Sequence, residues 1–63
     1  SDPHLKGTTE FITIFTGKIE IYADGQNFVI GKGESIRFKA DTVHSYKNVG
    51  NESAELHMIL FNP

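Results

Sequence analysis

Glu10-Phe11-Ile12-Thr13-Ile14-Phe15-Thr16-Gly17-Lys18-Ile19-Glu20-Ile21-Tyr22-Ala23-Asp24-Gly25 is the stretch that decides the fold class. Its first seven residues are dense in β-branched and aromatic side chains, which suit a pleated strand, and they are apolar on both faces, so burial on both faces is expected. Gly17-Lys18 interrupts the run. Ile19, Ile21 and Ala23 then alternate with Lys18, Glu20 and Tyr22, the period of two that marks a strand with one wet face. Asp24-Gly25 closes the stretch with a strong hairpin signal, because both central positions of a type I′ turn need positive φ.

Outward from this hairpin the same grammar continues. A third strand is expected over residues 26–30, ended by Gly31-Lys32-Gly33, and a fourth over residues 35–39, where Ser35, Arg37 and Lys39 alternate with Ile36 and Phe38. Residues 40–43 read as a loop, residues 44–48 as a short fifth strand, and residues 49–52 as a turn. Residues 54–61 form a long last strand, with Leu56, Met58 and Leu60 on one side. No window places apolar residues at i, i+3, i+4 and i+7, so no substantial helix is expected. Six short strands at near-regular spacing read as an antiparallel sandwich or barrel. With no linker, repeat or low-complexity tract, residues 1–63 make one domain.

Size and composition set further bounds. The chain has 63 residues, 38% of them hydrophobic and 22% charged. Burial on folding contributes on the order of 90 kcal/mol at ~25 cal/mol per Å². Ordering the chain costs about 95 kcal/mol at ~1.5 kcal/mol per residue. The terms cancel, so a lone monomer is marginal and a homodimer is expected. Phe15, Ile59 and Phe61 lean outward from strands whose other face supplies a core. They would form an interface, pair edge strands between subunits, or rest on further strands. Cysteine is absent, which excludes a disulfide framework and a thiolate metal site. Six Lys/Arg against eight Asp/Glu give a net charge of −2, and the six cations are scattered, so this segment alone is not expected to bind nucleic acid. No membrane span or signal peptide is present, and a cytoplasmic location is expected. The chain opens at Ser1 rather than Met, so a fragment or processed product is expected.

A few polar residues stand where apolar ones belong. Glu10 opens an otherwise apolar strand, and a buried carboxylate needs partners. His44 shares a strand face with Tyr46 and Asn48, three polar-capable groups pointing one way. His57 lies opposite the apolar face of the last strand and reads as a surface or interface residue. Arg37, between Ser35 and Lys39, reads as solvated. Gly31-Lys32-Gly33 lies between strands and is a turn rather than a phosphate loop. No serine has the sharp strand-to-helix context of a nucleophile.

Two stretches follow a family pattern. Glu10 is followed by six residues and then Gly17, with His4 six positions before Glu10. Gly33 is followed ten positions on by Val43 and then His44, with Asn48 four beyond it. These spacings resemble the two signature motifs of the cupin superfamily. The segments Pro3-His4-Leu5-Lys6-Gly7-Thr8-Thr9-Glu10-Phe11 and residues 33–48 are most similar to the C-terminal cupin of XRE-type helix-turn-helix transcriptional regulators. The resemblance implies a small antiparallel double-stranded β-helix, a jelly-roll-like barrel, here with its N-terminal strands truncated. Lys6 stands where the pattern usually has a second histidine, and Lys39 and Asp41 replace the usual proline and glycine.

The resemblance further implies that His4, Glu10 and His44 converge inside the barrel mouth as ligands for Zn²⁺, Fe²⁺, Mn²⁺ or Ni²⁺. Lys6 weakens that set, since an ammonium offers no lone pair. Ile12, Ile14, Phe38, Tyr46, Leu56 and Met58 would wall an apolar pocket around Glu10 and His44, suited to a small-molecule effector. The function implied is a ligand-sensing cupin domain of a bacterial regulator. DNA would be bound through an upstream helix-turn-helix domain outside this chain. The alternative is a stand-alone metal-dependent cupin enzyme of dioxygenase or isomerase type.

Overall fold

The structure, a computed structural model, describes residues 6–63 of the chain. Six strands follow in order: β1 (Thr9–Thr16), β2 (Lys18–Ala23), β3 (Gln26–Gly31), β4 (Ser35–Lys39), β5 (His44–Asn48) and β6 (Glu55–Phe61). They form two antiparallel three-stranded sheets, ordered β4-β1-β6 and β3-β2-β5. Of the consecutive strands only β2 and β3 share a sheet; the chain changes sheet from β1 to β2, from β3 to β4, from β4 to β5 and from β5 to β6. Among the described residues no helix is long and apolar enough to cross a membrane.

The turns show why the sequence breaks where it does. Asp24 (φ 52°) and Gly25 (φ 72°) both take positive φ, as the Asp-Gly pair requires. Gly17 turns the chain between the sheets at φ 90°, and a Cβ there would stand 2.8 Å from the Ala54 Cα. No side chain fits that approach. Between β3 and β4, Glu34 accepts from the Gly31 amide at 2.7 Å, while the Gly33 and Ile14 amides bond across to Ile14 and Glu34 carbonyls.

The inner faces meet in a core of Ile12 and Ile14 from β1, Ile19, Ile21 and Ala23 from β2, and Ile30 from β3. Ile36, Phe38, Ala54 and Leu56 pack against it. The expectation that β1 is buried on both faces is corrected here. Glu10, Ile12 and Ile14 point inward, but Phe11 and Phe15 are exposed on the outer face. An apolar strand in a two-layer fold has one interior, and the described residues place no third layer over the outer side of β1.

Candidate functional site at the mouth of the sandwich

Register brings the odd polar residues together. Glu10, near the start of β1, pairs with Phe38 of β4 and Leu60 of β6. His44, the first residue of β5, pairs with Ala23, and Tyr46 pairs with Ile21. Because cross-strand partners share a face, all of these side chains point between the sheets at one end of the sandwich. Glu10 and His44 are buried at 0% and 2% exposure. Tyr46, Met58 and Leu60 on the same inner faces reach solvent, at 38%, 38% and 47%. The arrangement is a buried polar floor beneath an open apolar rim.

The floor is a connected network. The Tyr46 hydroxyl donates to Glu10 Oε1, a side-chain bond that ties one sheet to the other. Burial first, then that bond and the negative charge of Glu10, push the Tyr46 phenol well above its ordinary range. His44 Nδ1 lies 2.8 Å from the Thr42 carbonyl. A carbonyl only accepts, so Nδ1 carries the hydrogen of this bond. Nε2 lies 3.9 Å from Glu10 Oε2. The imidazole is also wedged edge-on between Phe38 and Tyr46, at ring separations of 5.9 and 5.6 Å. Beside the network the chain closes on itself: the Thr8 hydroxyl donates to Asn62 Oδ1, the Gly7 amide to Asp41 Oδ2 at 2.8 Å, and the Ala40 amide to the Thr8 carbonyl at 2.9 Å.

The expected site residues thus fall into three groups. Glu10, His44, Tyr46, Phe38 and Met58 share the mouth. Ile12 and Ile14 lie deeper, fully enclosed in the core on which the floor rests, and Leu56 is half-buried beside them. His4 lies outside the described residues. Lys6 is exposed. Asn48 is drawn away from the site, since its amide accepts from the Gly50 amide and donates to the Glu52 carbonyl, both at 2.9 Å. His57 stacks on Phe15 on the outer face, with ring centroids 6.3 Å apart. Sequence reading missed Leu60 as a rim residue and the Thr8, Asp41 and Asn62 closure. Leu60 alternates with Met58 and was open to notice; the closure spans contacts that no local pattern signals.

Glu10 and His44 face each other with one oxygen and one nitrogen donor. Among the described residues no group of three or more His, Asp or Glu is close enough to hold an ion. Glu10 and His44 supply two of the three protein ligands usual in a retained transition-metal site, and the third expected ligand, His4, lies outside the described residues.

Comparison with known proteins fits the fold. Residues 1–60 match the model of the cupin domain family. The HTH-type transcriptional regulator SutR of Escherichia coli is 33% identical over all 63 residues, which span 35% of that protein. The chain also superposes over its whole length on two crystal structures. One is the cupin domain of an XRE family transcriptional regulator from Enterobacter cloacae (TM-score 0.92, 27% identity, 66% of that chain). The other is an HTH_3 family transcriptional regulator from Vibrio cholerae (TM-score 0.93, 35% identity, 35% of that chain). The chain spans about a third of the curated regulator it matches. It belongs to the cupin family, and the proteins it is similar to include helix-turn-helix transcriptional regulators and the cupin domain of an XRE family regulator.

Proposed function

We propose that the chain is the effector-sensing domain of a cytoplasmic transcriptional regulator, binding a small organic molecule at the mouth between the two sheets. The observation that carries this reading is the buried Glu10–His44 floor under the solvent-reaching rim of Tyr46, Met58 and Leu60. The floor sets a carboxylate beside an imidazole. A fitting ligand offers an N–H or O–H group to the Glu10 carboxylate, and lays an apolar body against Phe38, Met58 and Leu60. Competition for Glu10 would loosen the Tyr46 bond between the sheets and shift their packing. That shift is what a separate DNA-binding domain would read. The likeness to transcriptional regulators favours sensing over catalysis, and DNA is contacted through a helix-turn-helix domain rather than through this one.

Native mass spectrometry of freshly purified protein tests the reading. An organic adduct on the wild type that is lost in Glu10→Ala and His44→Ala supports it. The same adduct retained by both variants contradicts a site at the mouth.

A further inference from the structure

We propose that the mouth selects organic cations: a protonated alkylamine sets its ammonium against the Glu10 carboxylate, among three aromatic rings, and lays its chain along Met58 and Leu60. This ligand class rests on the effector reading above and narrows it. Charge is the first argument. Glu10 is fully buried on the inner face, between Phe38 of β4 and Leu60 of β6. Strand alternation turns Lys18, Arg37, Lys39 and Lys47 to the outer faces, and Lys6 and Lys32 are exposed outside the strands. An anionic ligand would thus meet a carboxylate with no Lys or Arg on the inner faces of the described strands to pair with. Like charges brought together where water is scarce are costly.

The rings are the second argument. Phe38 is the cross-strand neighbour of Glu10, the Tyr46 hydroxyl donates to Oε1, and His44 Nε2 lies 3.9 Å from Oε2. Ring planes turn by 64° from Phe38 to His44 and by 75° from His44 to Tyr46. The three rings therefore stand as angled walls beside the carboxylate and not as a flat stack. Aromatic faces carry the negative end of the ring quadrupole and attract a cation. An ammonium that takes the place of the Tyr46 hydrogen at Oε1 keeps that oxygen bonded. It also joins opposite charges at a carboxylate that water does not reach. A neutral alcohol donates to the same oxygen without the charge, and gains nothing from the ring faces. The exposed edges of Tyr46, Met58 and Leu60 leave the approach to Glu10 apolar, which suits the alkyl part of the same ligand.

Amide-resonance titrations of the whole chain at pH 7 with pentylammonium, 1-pentanol and pentanoate test it, since an alkylamine is protonated there. Pentylammonium should shift the Glu10, Phe38, His44 and Tyr46 amides with a Kd about tenfold or more below that of 1-pentanol. Pentanoate should leave them in place. Glu10→Gln keeps the volume and removes the charge, so the two affinities should come within about twofold of each other. Phe38→Leu keeps an apolar wall and removes a ring face, so pentylammonium should weaken about two- to fivefold while 1-pentanol is unchanged. Circular dichroism confirms that each variant folds. Equal affinities of the wild type for pentylammonium and 1-pentanol at the mouth overturn the cation preference and leave the effector reading standing. Mouth amides that respond to none of the three probes overturn both. A preference that survives intact in Glu10→Gln overturns the proposal, as does equal weakening of both probes in Phe38→Leu.

Discussion

Tyr46→Phe removes one hydroxyl and leaves the ring, so the sheets keep their packing and lose the bond from Tyr46 to Glu10. Glu10 is fully buried, whereas Tyr46 is 38% exposed. A hydrogen bond to a charged group contributes about 1.5–3 kcal/mol, and water reaching the rim places this one at the lower end, about 1.5 kcal/mol. In a domain of this size that corresponds to a fall in Tm of roughly 6–12 °C. A second signature separates this bond from lost packing. The folded phenol titrates well above its ordinary range. Below the unfolded value of about 10 the group's contribution to stability is complete. Above it the unfolded state has shed the proton that the folded state still holds, so stability falls as pH rises toward the folded value. Urea unfolding followed from pH 8 to pH 11, at one fixed protein concentration, should show the variant less stable than wild type at pH 8, with the gap closing above about pH 10. A Tyr46→Phe protein within about 0.5 kcal/mol of wild type at pH 8, or a gap that is the same at every pH, would refute the reasoning.

Other substitutions test the frame that holds the site. Gly17→Ala combines positive φ with a Cβ 2.8 Å from Ala54, and should cost about 2–4 kcal/mol in urea titration. Ile14→Ala opens a cavity at a fully buried position and should cost about 2–5 kcal/mol, whereas Val29→Ala, at an exposed position on the outer face of β3, should stay within about 0.5 kcal/mol. Glu10→Gln keeps the volume and an acceptor for Tyr46 but removes the charge. Difference absorbance against a Tyr46→Phe background should show the Tyr46 phenolate forming at lower pH than in wild type.

Much of this architecture was legible in the chain. The strand boundaries follow the Gly and Asp punctuation because each break is a position where φ turns positive or the backbone comes close, as at Gly17 and at Asp24-Gly25. Glu10, His44 and Tyr46 stood out because polar groups in apolar strands must be satisfied somewhere. Their bond was not legible. Glu10 and Tyr46 are 36 residues apart, and only the facing of two sheets brings them together. Asn48 has the same alternation as His44 and Tyr46, yet its amide is spent on its own turn. The outer side of β1 misled for a related reason. Phe11 and Phe15 look like core whether a third layer or another molecule covers them, and periodicity does not distinguish the two.

The mouth is the centre of the functional reading, and chemical-shift mapping reaches it directly. Isotope-labelled protein would be titrated with apolar-tailed amines, alcohols and carboxylates while its amide resonances are followed. The amines and alcohols should shift Glu10, Phe38, His44, Tyr46, Met58 and Leu60, and the carboxylates should leave them in place. Shifts confined to Phe11, Arg37 and Phe61 on the outer face, or a mouth that prefers the carboxylates, would contradict it.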